Sequence, residues 1–466
     1  MNPVRKAWCR TYQTVFRLAL PVLPYTEPQI LPSTDAAADV LAERGVSSVL
    51  LVTDPGIARL HLTDGLEHAL LSHGISCAVF SDTVANPTVR NVEDAAELYR
   101  ESACEAIIGF GGGSAMDCAK AVGARIARPT KPLAKMRGVL RVLRRIPLLV
   151  AVPTTAGTGS EVTLAAVITD DKTHYKYPIN DFVLIPRYAV HDYRVTLGLP
   201  ASVTGQTGMD ALTHAVEAYI GRSTTTYTRA NARDAVCLIH DNLLRAYRDG
   251  SDAEARKAML TAAYKAGVAF TRSYVGYVHG IAHSLGGQYG TPHGLANAVI
   301  LPHVLRAYGS SCTRKLAELA RVAHVASADV TDAEAADAFI RWIDEMNEQL
   351  GIPRYLEGIR RADVPAMAAH ADAESNPLYP VPRLMDAGEL AELYEVVAGG
   401  RFADDVNVSG PANGSAGEKD TRARDLAGAR APKASRRRGA GSRGEKRTSA
   451  RTAAATPTAA TPKETR

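Results

Sequence analysis

The chain has 466 residues, enough for two folded domains with extensions, and its net charge of +5 is gathered at one end. Residues 401–466 carry 15 Lys+Arg against 7 Asp+Glu, which leaves residues 1–400 at −3, so the folded body requires no nucleic-acid partner. Six scattered cysteines with no C-x-x-C pair exclude a disulfide scaffold and a thiolate metal site, and they fit a reducing, cytoplasmic setting.

Residues 1–32 read as an N-terminal extension. Arg5, Lys6 and Arg10 precede an apolar run, Thr14–Leu23, that Arg17 and Pro21 interrupt. The run is too short to cross a bilayer and no small-residue cleavage site follows it, so a surface helix is expected and no transmembrane segment.

Residues 33–200 alternate short apolar runs with amphipathic stretches. Val46–Val52, Ile75–Phe80, Glu105–Phe110 and Pro147–Val152 predict buried strands, and Thr88–Ser102 predicts a helix after the turn at Asn86-Pro87. Val167–Thr169 and Phe182–Ala189 are further strand candidates. The alternation predicts an α/β domain with a largely parallel sheet. Beyond Pro200 the strand signals stop. Residues 202–220, 228–248, 252–271, 313–325, 332–350 and 387–397 have helical spacing, so residues 201–400 form an expected all-helical domain with a ligand cleft against the first. Residues 401–466, rich in Ala, Gly, Ser, Thr, Pro and Arg, lack the apolar area to offset ordering entropy and are expected to be a disordered basic tail.

Two loops carry the signs of a nucleotide site. Gly109-Phe110-Gly111-Gly112-Gly113-Ser114 lies between an expected strand and helix, where glycines let the backbone approach a pyrophosphate and the helix offers free N–H groups. Pro153–Glu161 (PTTAGTGSE) follows the strand Pro147–Val152, and two such loops on one sheet line one crevice. Asp54, just after Val46–Val52, is placed to accept ribose hydroxyls and to repel a 2′-phosphate, which favours NAD(H) over NADP(H). A helix cap is the plain alternative for that aspartate.

The second half concentrates metal-ligand chemistry. Asp210 and His214 are four apart and share a helix face, as do His279 and His283, with His293 following Thr291-Pro292. A carboxylate with several imidazoles suits one Fe(II) or Zn(II), and spacing alone leaves open which three histidines ligate. The many glycines of residues 276–294 admit two explanations, close approach to a ligand or helix termination.

At these residues the chain resembles the iron-containing (group III) alcohol dehydrogenase family over about residues 35–400. The resemblance rests on GGGSAMDCAK (Gly111–Lys120), PTTAGTGSEVT (Pro153–Thr163), GMDALTHAVEAY (Gly208–Tyr219) and GYVHGIAHSLGGQYGTPHG (Gly276–Gly294), with Asn376-Pro377 near the end. It implies an N-terminal Rossmann-like nucleotide-binding domain and a C-terminal all-α metal domain. The implied ligands are Asp210, His214, His279 and His293, with Fe(II) foremost. His283 is implied as the catalytic residue near substrate and nicotinamide. The implied cofactor contacts are Asp54 to the adenosine ribose, Gly111, Gly112, Gly113, Ser114 and Asp117 in the pyrophosphate loop, Thr154, Thr155 and Thr158 in the second loop, and Lys176 to the ribose. Phe270, with Val275 and Ala165, is implied in the substrate pocket, and the assembly as a homodimer or larger.

Three departures stand out. Tyr25–Asp39 lacks the Gly-rich opening of many members. Thr271-Arg272 replaces a usual Ser-Asn, which would put a long cation near the pocket mouth. The basic tail has no counterpart.

The implied reaction moves a hydride between a small alcohol and NAD(H), with the metal polarising the alcohol oxygen and His283 relaying the proton. A glycerol-dehydrogenase-like or dehydroquinate-synthase-like zinc enzyme and a hydroxyacid–oxoacid transhydrogenase are the enzymatic alternatives. Nucleic-acid or anionic-surface binding by the tail is the non-enzymatic one.

Overall fold

Ser48–Val52 (SVLLV) and Ala106–Gly111 (AIIGFG) are buried at every position, as central strands of a parallel sheet must be when helices cover both faces. The computed structural model describes residues 1–172 and 176–405; the expected tail beyond them lies outside the described residues. The chain opens with helix α1 (Pro3–Ala19), strand β1 (Gln29–Leu31), α2 (Thr34–Glu43) and β2 (Ser48–Val52). There follow α3 (Pro55–Arg59), α4 (Asp64–Ser72), β3 (Ser76–Phe80), α5 (Val89–Glu101), β4 (Ala106–Gly111) and α6 (Gly113–Ala127). Then come β5 (Gly138–Val139), β6 (Leu148–Pro153), β7 (Ala165–Thr169), β8 (Lys176–Asn180) and β9 (Tyr188–Val190).

Six strands form one all-parallel sheet in the order β1-β9-β6-β4-β2-β3. From β2 the chain moves outward to β3, returns to the other side of β2 as β4, and continues to β6. The crevice at the carboxyl ends of β2 and β4 is therefore the topological switch point, where open α/β sheets take ligands. A small second sheet, β5-β8-β7, pairs β7 and β8 antiparallel.

After Pro200 the described residues are helical, as expected: α7 (Ala201–Ile220), α8 (Thr226–Arg248), α9 (Ala253–Ser273), α10 (Tyr277–Tyr289) and α11 (His293–Tyr308). These are followed by α12 (Thr313–Val322), α13 (Asp332–Gln349), α14 (Val364–Ser375) and α15 (Ala387–Val397). The described residues fall within one compact unit. One large core fills the helical half, and two smaller ones lie on the faces of the sheet.

The structure corrects the sequence reading at one place and refines it at two, each for a local reason. Residues 182–189 do not form one strand: Asp181 caps a short 3-10 turn, Phe182–Leu184, and only Tyr188–Val190 joins the sheet after Pro186. The glycine-rich segment splits into α10 and α11, because Gly290 adopts φ +67 and ends α10. The N-terminal helix is longer than its apolar run and sits inside out. Its buried side carries Cys9 and Gln13, with Gln13 donating to the carbonyls of Pro377 and Tyr379, while Val4, Trp8, Val15 and Leu18 are exposed.

Candidate functional site

The two glycine-rich loops meet. Gly111 has φ +149, and a side chain there would strike Ala115 at 2.8 Å and stand 3.4 Å from Asp54 Oδ2, so glycine permits the strand to turn sharply into α6. Thr154 N donates to the Gly111 carbonyl at 3.0 Å, and the space beside Gly113 is filled by the Thr158 side chain. Thr155 lies beside Gly112 in the same way. Asp54 caps α3, its Oδ1 accepting from the amides of Gly56 and Ile57, which leaves Oδ2 toward the switch-point crevice.

The other expected cofactor residues divide. Ser114 Oγ accepts from Asn86 N at 3.3 Å, and Lys176 Nζ donates to Asn86 Oδ1 at 2.8 Å, so one asparagine ties both to the crevice. Asn86 was legible only as a turn residue. Asp117 lines the cleft, and its two oxygens accept from Ser160 Oγ (2.7 Å) and Val167 N (3.0 Å), so the carboxylate also braces α6 against the chain after the second loop. Burial pushes the Asp117 carboxyl up. Lys120, one turn on and fully buried, drives its ammonium into Ser160, Thr163 and Ala165, and burial lowers it to about 8.

Asp210 and His214 on α7, His279 on α10 and His293 at the start of α11 converge. Their ligand atoms all lie within 4.8 Å of one another. Asp210 Oδ1 is 4.0 Å from His279 Nε2 and 3.7 Å from His293 Nε2. Two ligands each about 2.0–2.2 Å from one ion stand at most about 4.4 Å apart, so the 3.7 and 4.0 Å separations suit one divalent metal after a small inward movement of the wider pairs. Burial pushes the Asp210 carboxyl up and the His214 and His293 imidazoles well down, so burial works against charge on each group. A neutral imidazole offers the lone pair that a metal requires, and a cation at the centre would favour the charged carboxylate.

Two supporting residues escaped the sequence reading. Glu217, buried on α7, accepts from His279 Nδ1 at 2.6 Å and from the amides of Gly276 and Val278 at 2.9 Å each. It fixes His279 with Nδ1 protonated and Nε2 facing the cluster. Gly276 is required for this, since a side chain there would meet Glu217 Oε1 at 2.6 Å. Asn297, buried on α11, donates to Asp210 Oδ1 at 2.6 Å. Glu217 does fall within the GMDALTHAVEAY motif, but its partner lies 62 residues away.

A cleft joins the two sets. Its walls include Asn86, Gly113, Ser114, Asp117, Thr158 and Lys176 on the sheet side, and His214, His279, His283 and His293 on the helical side. Phe270 stacks on His214 with centroids 4.1 Å apart, and Val275 and Ala165 also line the cleft. His283 lies outside the four-residue cluster and donates from Nδ1 to Glu374 Oε1 at 2.6 Å. The cation expected at the mouth is elsewhere. Arg272 pairs with Glu27 at 2.7 Å and packs over the rings of Tyr25 and Tyr227, because its position on α9 faces the N-terminal extension rather than the cleft.

Residues 32–193 match the family model described as iron-containing alcohol dehydrogenase, and residues 204–397 match that of the Fe-containing alcohol dehydrogenase family, C-terminal. The chain is 39% identical over 368 residues to a 1,3-propanediol dehydrogenase of Citrobacter freundii, covering 77% of this chain and 94% of the relative. A solved 1,3-propanediol oxidoreductase is 36% identical with a TM-score of 0.77, over 80% of this chain and 99% of that one. A sulfoacetaldehyde reductase from Bifidobacterium kashiwanohense, solved in complex with NAD+, is 27% identical with a TM-score of 0.70, over 80% of this chain and 98% of that one.

Proposed function

Because the chain belongs to the iron-containing alcohol dehydrogenase family, we propose that it interconverts small primary or secondary alcohols and their carbonyl partners using NAD(H) and one bound Fe(II). It is an oxidoreductase acting on alcohols. The observation that carries the finer reading is the buried Asp210/His214/His279/His293 cluster at the cleft that the two glycine-rich loops line. Residues 33–200 take the nucleotide and 201–400 the metal.

Held by Asp210, His214, His279 and His293, a metal would supply Lewis acidity, and a bound nicotinamide would supply the hydride acceptor. The chain's own residues do the rest. Gly111–Ser114 and Thr154–Thr158 cradle the pyrophosphate, and Asp54 accepts the adenosine ribose hydroxyls, which favours NAD(H). Lys176, steadied by Asn86, reaches the nearer ribose. With Nδ1 donating to Glu374, His283 presents Nε2 as the accepting nitrogen and takes the alcohol proton there. Phe270, stacked on His214, shields the ligand cluster from water on one side.

Small alcohols and aldehydes are the substrates. The six free cysteines support a reducing, cytoplasmic setting, and family membership supports a homodimer or larger assembly. Among the described residues no helix is long and apolar enough to cross a membrane.

The test strips the metal, reloads Fe(II) or Zn(II) without oxygen, and follows NADH with short aldehydes and alcohols. Metal-restored turnover is expected, with His279→Ala losing both bound metal and rate. Full metal content and full activity in His279→Ala would overturn the assignment. Turnover without added NAD would identify the transhydrogenase alternative.

A further inference from the structure

The substrate end of the cleft contains an acid that the family motifs quoted above do not account for. Glu374 closes α14, a helix without a clear signal in the sequence, and lines the cleft beside His283, Leu378 and Tyr379. Its Oε1 accepts from both His283 Nδ1 and Tyr379 Oη, at 2.6 Å each. Among the described residues no hydrogen bond reaches Oε2, and the side chain is 28% exposed. The His283 contact holds the Glu374 carboxyl below its ordinary range despite burial, so it is charged.

The surrounding charges are few. Lys176 is the one lysine or arginine among the lining residues; its ammonium donates to Asn86 and makes no hydrogen bond to Glu374, whose charge it feels together with those of Asp117 and Asp210. Arg272 points away and is paired with Glu27. The remaining wall at this end is apolar or aromatic, with Phe270, Tyr274, Val275 and Leu378. A carboxylate with a free oxygen, facing apolar walls and with no arginine or other side-chain cation bonded to it, attracts a donor and repels a negative charge.

We propose that Glu374 determines substrate class: its free oxygen selects uncharged alcohols carrying a second O–H or N–H donor and rejects alcohols bearing a carboxylate, sulfonate or phosphate. The inference rests on the dehydrogenase reading of the same cleft. It separates this chain from any enzyme that holds an acidic substrate with an arginine.

The test uses metal-loaded full-length protein with NAD+ and three probes of equal length: 1-propanol, 1,3-propanediol and 3-hydroxypropionate. Each variant is read as a ratio of kcat/KM between probes, so that a common loss through His283 cancels. The wild-type chain is expected to prefer the diol over 1-propanol and to disfavour the anion by about 100-fold or more. In Glu374→Gln, which keeps an acceptor but no charge, the anion-to-propanol ratio should rise about 10-fold while the diol preference persists. Glu374→Met removes charge and acceptor together, and the diol preference should vanish. Unchanged ratios in both variants, with thermal midpoints confirming the fold, would overturn the proposal. If no alcohol is turned over, the dehydrogenase reading fails instead. Calorimetric Kd values for the same three probes then decide on Glu374, with an unchanged anion-to-propanol Kd ratio in Glu374→Gln overturning it.

Discussion

Glu217 holds His279 through a single 2.6 Å contact and also satisfies two backbone amides, so its substitutions separate two effects. Glu217→Gln keeps size and hydrogen bonding but removes the charged acceptor of His279. Metal affinity is expected to fall about 10- to 100-fold, measured by equilibrium dialysis with Co(II) or Zn(II), with the fold intact. Glu217→Ala also strands the amides of Gly276 and Val278 and should cost about 1–3 kcal/mol for each, read from urea unfolding of metal-free protein. His191 makes a different prediction. Burial pushes its imidazole down to about 4, and its ring meets Tyr264 edge-on at 5.1 Å. Above the unfolded value of about 6.5 both states are neutral and His191 adds no slope. As pH falls from there toward 4, the unfolded chain takes a proton that the folded chain refuses, and stability drops. His191→Phe should remove that part of the slope; equal slopes in both proteins, from thermal midpoints between pH 4 and 6.5, would count against the burial argument.

Between elements, the tightest contact near the cofactor is α9 against the second glycine-rich loop. Gly159 stands at φ +58 with Gly267 of α9 beside it, and a side chain at Gly267 would meet Val162 at 2.5 Å and the Gly159 carbonyl at 3.0 Å. Gly267→Ala should therefore cost about 1–3 kcal/mol and weaken NADH binding, because the loop carrying Thr158 must move. Gly65→Ala in α4 is the control, since nothing lies within 4 Å of the added carbon. A normal NADH Kd in Gly267→Ala would show that the loop yields without moving its threonines. The inverted α1 belongs to the same scale: Arg5 grips Asp372, and Arg10 and Gln13 grip carbonyls of residues 377–382, next to Glu374 and Tyr379.

For the whole molecule, charge is split between a body at −3 and a terminal 66 residues at +8. Truncation after Asp405 is expected to abolish retention on an anionic matrix such as heparin, which should fall steeply with salt in the full chain, and to leave alcohol turnover unchanged. Loss of turnover on truncation would tie the tail to the catalytic body.

Local chemistry was enough to read the strand runs at Val46–Val52 and Glu105–Phe110, the helix of Asp210 and His214, and both glycine-rich loops, because periodicity and turn residues act within a few positions. The donor types, a carboxylate with imidazoles, and their helical pairing were likewise legible. Periodicity left open whether His283 or His293 completes the cluster, and packing of α11 against α7 and α10 decides for His293. The supports were hidden for the same reason: Glu217 to His279, Asn297 to Asp210 and Glu374 to His283 join residues 62, 87 and 91 apart. A residue's spacing tells which face of its own helix it occupies, whereas the face it meets is settled only when distant helices bury their apolar sides together. Arg272 shows the cost of that gap, since it has the right chemistry for the pocket mouth and tertiary packing gives its charge to Glu27.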